Sequence, residues 1–248
     1  MVLAGSRPGT DPFAAAHGTD LKALIPVAGE PMVRRPVRAL LASPNIAAVR
    51  VLTQQAERIA AILPADPRLT VEASGETIAS TLAAICADPL TPWPLLVTTA
   101  DHALLDQTII ADFTARAEGA DVAIGLVEAK PLLARLPGTK RTWIGFRGGR
   151  YSGANLFALC SPRAAKAIEL WRGVEQDRKK GWRLLIALGP AGLLGLLRLR
   201  SLDQTMASLG RRLGLELRAV EMRDPLSAVD VDKPADHDLV EAILAGRA

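Results

Sequence analysis

The 248-residue chain can form one large α/β domain or two small ones, and its 49% hydrophobic content supplies a packed core. Aromatics are only 4%, so that core must be aliphatic. The net charge of +4 suits anionic ligands, but apart from Arg178-Lys179-Lys180 and Arg211-Arg212 the basic residues are dispersed and lack interleaved aromatics, which argues against nucleic acid as a partner. Two cysteines, Cys86 and Cys160, exclude a disulfide framework and a zinc cluster.

The chain begins with an apolar strand ending near Leu3, then a small-residue loop, Ala4-Gly5-Ser6-Arg7-Pro8-Gly9. Lys22 follows in Lys22-Ala23-Leu24-Ile25-Pro26-Val27-Ala28-Gly29-Glu30-Pro31-Met32, before a helix expected over 31–41. Small residues let backbone amides approach phosphate oxygens, and one ammonium can neutralise charge gathering there. A lysine in so apolar a segment is costly without a partner. Arg7 is either a second phosphate cation or a solvated loop residue.

Strands are expected at 49–52 and 69–72, with helices at 54–63 and 77–87. Between them Ser74-Gly75-Glu76-Thr77, with Ser80, reads either as a surface facing a base or ribose or as a plain turn and N-cap. The apolar run 94–99 predicts a buried central strand that ends at Ala100-Asp101-His102. An acid at the carboxyl end of such a strand is placed to hold Mg²⁺ against a phosphate, or else caps the helix expected over 105–118. A strand over 121–127 completes this alternation, which predicts a layered α/β domain with a mostly parallel sheet.

Beyond it, Lys130 to Gly138 is expected to be an irregular lid. A hairpin is expected over 142–152 and a further strand over 154–159; Gly153 and Asn155 read either as a tight turn or as a contact surface. The apolar stretch 184–199 is short for a membrane span and is broken by Gly189-Pro190. It reads as two short helices packing on the core or on a second copy in a homodimer. With the preceding basic run, it otherwise suits a membrane-proximal or partly apolar phosphorylated acceptor. A late strand (215–220) and a closing helix (236–245) follow. Before that helix Asp230 and Asp232 alternate in an extended segment, so either can join Asp101 on a magnesium ion, or Asp232 caps the turn at Pro234. The three histidines have no metal-ligand spacing and no triad order.

At these residues the chain resembles the nucleotidyltransferases of the molybdenum-cofactor guanylyltransferase type. The matching positions are Leu3, Ala4, Gly5, Lys22, Leu24, Pro26, Val27, Gly29, Pro31 and Met32, then Ala100-Asp101-His102-Ala103-Leu104-Leu105, then Asp230-Val231-Asp232-Lys233-Pro234-Ala235-Asp236. Ser6 stands in place of that family's second glycine, and glycine and proline are missing around Asp101. The resemblance implies a three-layer, Rossmann-like nucleotide-diphospho-sugar transferase fold. It also implies attack of an acceptor phosphate on the α-phosphorus of a nucleoside triphosphate, with release of pyrophosphate.

In that reading Leu3, Ala4, Gly5, Ser6, Arg7, Gly9, Lys22, Ser74, Gly75 and Ser80 hold the nucleotide. Asp101 with Asp230 or Asp232 holds Mg²⁺, Lys22 and Asp101 are catalytic, and Gly153 and Asn155 meet the acceptor. A single domain over 1–248 is expected, with a nucleotide-binding half (1–128), an acceptor-binding subregion (129–226) and a closing segment (227–248). The opening lacks a basic-then-apolar leader, so a cytoplasmic location is expected. Two alternatives stay open. A glycosyltransferase of the same fold would be expected to carry a spaced acidic pair at the strand end, where Thr99-Ala100-Asp101 offers one acid. A non-catalytic nucleotide-binding protein would bind triphosphate without releasing pyrophosphate.

Overall fold

The computed structural model describes residues 1–6, 9, 11–176 and 198–247. Strand β1 (Val2–Leu3) leads through helix α1 (Pro12–Ala16), a 3₁₀ turn at Lys22–Leu24 and the ribbon of β2 (Pro26–Val27) and β3 (Glu30–Pro31) to α2 (Arg34–Ala42). Next come β4 (Val49–Thr53), α3 (Ala56–Ala60), β5 (Leu69–Ala73), α4 (Ile78–Ala87), β6 (Leu95–Thr99) and α5 (Gln107–Ala117). The chain continues through β7 (Val122–Glu128), α6 (Ala129–Arg135), β8 (Ile144–Phe146), β9 (Gly149–Leu159) and α7 (Ala165–Gln176). Helix α8 (Leu202–Leu213), β10 (Leu217–Glu221) and α9 (Pro234–Leu244) complete the described elements. This is an α/β fold with a mostly parallel sheet. Among the described residues no helix is long and apolar enough to cross a membrane.

The chain divides into two compact units, the first comprising Met1–Ile78, Val97–Asp112 and Val229–Ala248, the second Ala79–Leu96 and Phe113–Ala228. In the first, the strands lie in the order β6-β1-β4-β5 and every pair is parallel. Strands buried on both faces must be apolar on both. Val2, Val49, Val51, Leu52 and Val97 accordingly lie at or near zero exposure, each side chain contributing about 1.5–3 kcal/mol on full burial. The chain steps outward from β1 to β4 and β5, then returns to set β6 on the other side of β1. That reversal makes the β1–β6 boundary a topological switch point, where ligands of open parallel sheets bind at the carboxyl ends.

The second unit pairs β10 with β7 in parallel, β7 with β9 antiparallel, and β8 with β9 antiparallel. The expected hairpin is present, turning at Arg147-Gly148 with Gly148 at φ 101°. Two expectations are corrected here. The residues from 149 to 159 form one strand and not a hairpin arm plus a separate strand. Its irregularity is a bulge: the register against β7 jumps between Ile124↔Phe157 and Leu126↔Gly153. Asn155 takes a left-handed φ of 50° inside the bulge, a conformation Asn tolerates better than most residues. Gly125 faces it, where an added Cβ would stand 3.1 Å from Leu156 Cβ.

The segment from Lys130 to Gly138 is likewise no irregular lid, because residues 129–135 are helical. Pro131 sits in the first turn, where its missing N–H has no helical acceptor to lose. Helix α8 begins with a capping box between Ser201 and Gln204 and ends at Gly214 in the left-handed region, φ 67°.

Candidate functional site

The opening loop leaves β1 with Leu3 and Ala4 buried, Gly5 exposed and Ser6 part-buried. Ala4 N–H donates to Leu52 O at 2.8 Å, and Ala100 N–H donates to Leu3 O at 2.9 Å. The carboxyl ends of β1 and β6 are thus fixed side by side at the switch point. Gln54, which the sequence did not single out, organises this loop. Its Oε1 accepts from Ser6 N–H at 2.9 Å, and its Nε2 donates to Gly75 O at 3.3 Å. One amide therefore ties the opening loop to the Ser74-Gly75 turn. A Cβ on Gly5 would lie 3.0 Å from Gln54 Nε2, so glycine is what lets that amide approach. The hydroxyl of Ser74 is buried and has no hydrogen-bond partner among the described residues.

Lys22 heads the 3₁₀ turn, in a segment where Leu21, Ala23 and Ile25 are buried and leave the lysine on the opposite side. Backbone bonds from Met32 N to Ile25 O (2.9 Å) and from Val33 N to Ala23 O (3.1 Å) clamp that segment. Asp20, just upstream, takes a bidentate pair from Arg58 at 2.9 and 2.8 Å. The Lys22 ammonium has the partners its apolar context requires: it donates to Asp101 Oδ2 at 2.9 Å and to Asp232 Oδ1 at 2.5 Å. Burial pulls its pKa down, but the charges of Asp101 and Asp232 and their hydrogen bonds together outweigh burial and leave it above the ordinary lysine value.

Asp101 stands directly after β6 and its other oxygen accepts from the Thr99 hydroxyl. It does not cap α5, because Asp106 does so, accepting from Ile109 N at 2.8 Å. Asp232 is carried to the same place by a backbone bond from Val231 N to Asp101 O at 3.0 Å, with Val229 and Val231 fully buried on either side of Asp230. Asp236, in the first turn of α9, accepts from Asp232 N at 3.3 Å, leaving the Asp232 side chain free of the capping role. Asp230 is part-buried in the same segment. Among the described residues no group of three or more His, Cys, Asp or Glu is placed to hold a metal ion. Of the two acids that could join Asp101, Asp232 is the one that shares a cation with it.

Among the described residues, the remaining predicted ones form no hydrogen bond or ion pair with Lys22, Asp101 or Asp232 in the first unit, and each is placed by its own element or loop. Arg7 lies outside the described residues, as does most of the apolar stretch 184–199. Gly9 is exposed with φ 104°. Ser80 lies in α4, while Gly153 and Asn155 lie in β9, all in the second unit. His102 is only 1% exposed and its Nδ1 is 3.2 Å from Thr98 Oγ1, a core position under the strand end.

The mostly parallel α/β sheet, together with the solved structures it superposes on, places the protein among the nucleotide-diphospho-sugar transferase folds. More narrowly, residues 4–191 match the MobA-like NTP transferase domain, and the chain belongs to that family. A hypothetical transferase from Thermus thermophilus is 30% identical, covers 95% of this chain and 97% of its own, and superposes with a TM-score of 0.78. The 4-diphosphocytidyl-2C-methyl-D-erythritol synthase of Anaerococcus prevotii is 10% identical over 89% of this chain and 88% of its own, TM-score 0.57. A CMP:2-keto-3-deoxy-manno-octonic acid synthetase complexed with CTP is 12% identical over 100% and 99%, TM-score 0.54. These last two share the fold. No match to a curated protein reaches significance.

Proposed function

We propose that the protein transfers a nucleoside monophosphate from a nucleoside triphosphate to a phosphorylated small molecule, releasing pyrophosphate. The observation that carries this is Lys22, held between Asp101 and Asp232 where β1 and β6 end. An acceptor phosphate oxygen attacks the α-phosphorus, the bond from that phosphorus to the bridging oxygen breaks, and the electron pair leaves with pyrophosphate. Such transfers need positioning and charge neutralisation and no protein nucleophile. Of the opening loop, Gly5 and Gly9 are the positions where the backbone meets the phosphates, because the Ala4 and Ser6 amides are held by Leu52 O and Gln54 Oε1; Gln54 keeps the loop against the 74–75 turn. The Lys22 ammonium moves its contacts from the carboxylates to the phosphates and neutralises charge on the departing pyrophosphate.

Asp101 and Asp232 fit a magnesium ion. They are hard oxygen donors, they already share one cation, and an ion of this kind takes only one or two carboxylates from protein. Asp230, two residues from Asp232 in the same segment, is the alternative to Asp232 as the second acid on that ion. When bound, the metal supplies positive charge to the triphosphate. Ser74, Gly75 and Ser80 are assigned to the nucleoside, and Gly153 and Asn155 to the acceptor. The bulge at Asn155 supports that assignment, since bulges re-aim side chains beside functional sites. The test is pyrophosphate release from each of four triphosphates with a panel of phosphorylated acceptors. Triphosphate binding without release under any combination would instead favour a binding protein.

A further inference from the structure

The second unit contains a cleft of about 640 Å³ between α6 and the β8–β9 hairpin, within the size of small-molecule sites. Three cations line it, Lys130, Arg150 and Arg198, against one carboxylate, Glu128. Leu133 and Phe146 supply an apolar wall. The cations are individually set. Arg150 lies over the Trp143 ring at 6.0 Å from its centroid, within cation–π reach. Arg198 has a left-handed φ of 58°, a cost for a residue with a side chain. Its guanidinium crosses β8 at Gly145, where an added Cβ would stand 2.6 Å from Arg198 Nε. The glycine at 145 is thus the space that Arg198 occupies.

We propose that this cleft binds a phosphomonoester with an apolar body. Resting on the transferase reading above, its occupant is the phosphorylated acceptor, held through Gly149 and Arg150 of the same strand, β9, that carries Gly153 and Asn155 further along. Three cations and one carboxylate leave two positive charges, which match the nearly dianionic phosphomonoester. The two arginines present planar forks that grip phosphate oxygens bidentately. Phe146 and Leu133 take the organic part, so the cleft selects against inorganic phosphate.

Calorimetric titration of the whole chain at low salt with phenyl phosphate, inorganic phosphate and phenol tests this. Phenyl phosphate is expected to saturate one site, at least about tenfold tighter than inorganic phosphate, with phenol showing no binding. Arg198→Ala is expected to weaken phenyl phosphate about tenfold, Gly145→Val to match it by displacing that guanidinium, and Glu128→Gln to tighten binding a few-fold. Triphosphate affinity stays at the wild-type value in all three. If Gly145→Val does not fold, the exposed Lys130→Ala and Arg150→Ala replace it. No saturation by phenyl phosphate overturns the site, and so does equal weakening by the Arg211→Ala/Arg212→Ala variant, whose residues do not line the cleft. Saturable binding with no pyrophosphate release from any triphosphate leaves the cleft standing and removes the transferase reading. Pyrophosphate release by Arg198→Ala with an unchanged acceptor KM leaves the transferase reading and removes the cleft as acceptor site.

Discussion

Replacing Lys22 with Met keeps the length of the side chain and removes its charge. The ammonium donates at 2.9 Å to Asp101, whose side chain is 20% exposed, and at 2.5 Å to Asp232, which is 62% exposed. A hydrogen bond to a charged partner contributes about 1.5–3 kcal/mol, whereas an exposed pair contributes about 0–1 kcal/mol. Relief of the ammonium's desolvation offsets part of the first, and the two carboxylates left without a cation repel. The net loss is about 1–2 kcal/mol, or about 2–8 °C in Tm for a chain of this size. Because the folded pKa of Lys22 is raised, this stability is fully present below the ordinary lysine value and disappears as pH rises through the folded value. The melting difference between wild type and Lys22→Met should accordingly narrow at strongly alkaline pH. In a pyrophosphate-release assay kcat/KM falls roughly 100- to 1000-fold, the range for removing one preorganised group that meets developing charge. Full activity in a folded Lys22→Met protein would refute the mechanism.

Gln54→Ala removes the amide between Ser6 and Gly75, so the triphosphate KM rises about 2- to 10-fold with kcat little changed; steady-state kinetics check this. Asp121, 7% exposed, accepts from Glu216 N at 2.9 Å and Ser161 Oγ at 2.8 Å. The bond from Glu216, assisted by Ser161 and Arg163, holds its carboxyl below the usual range. Asp121→Asn should cost about 1–3 kcal/mol at neutral pH. That increment is present above the unfolded carboxylate value of about 4 and lost as pH falls through the folded value, so the Tm gap to wild type closes in acid. Gly210→Ala would place a Cβ 2.5 Å from Leu215 O and should destabilise by about 1–3 kcal/mol in urea melts.

What was legible in the sequence was the part written by periodicity and order. The strands near 49–53, 69–73, 95–99 and 122–128 follow from apolar runs; Lys22 and Asp101 stand out as charges beside apolar segments, and Asp232 by its alternation with Asp230. Their convergence on one ammonium depends on the crossover that puts β6 beside β1, which spacing does not encode. Gln54 was missed because one amide after a strand carries no signal; its role appears only when the Ser6 and Gly75 backbones are seen on either side. Helix α6 was missed because Pro131 and the nearby Pro137 suggested a loop, although proline in a first turn is compatible with a helix. Of the readings open at Gly153 and Asn155, the tight turn is not what forms: the stretch is a bulge in β9, and only the pairing with β7 separates a bulge from a turn. Helix α1 did carry a signal, Asp11-Pro12, an N-cap followed by proline at the first helical position.

The most direct test follows the α-phosphate itself. Wild type and Asp101→Asn are incubated with each α-labelled nucleoside triphosphate, magnesium and a panel of phosphomonoesters, and the label and pyrophosphate are counted together. Wild type should move label onto at least one acceptor with one pyrophosphate released per label transferred, and Asp101→Asn should lose at least about 100-fold of that rate. Tight triphosphate binding with label remaining wholly in the triphosphate across the panel, or equal transfer by Asp101→Asn, would contradict the account.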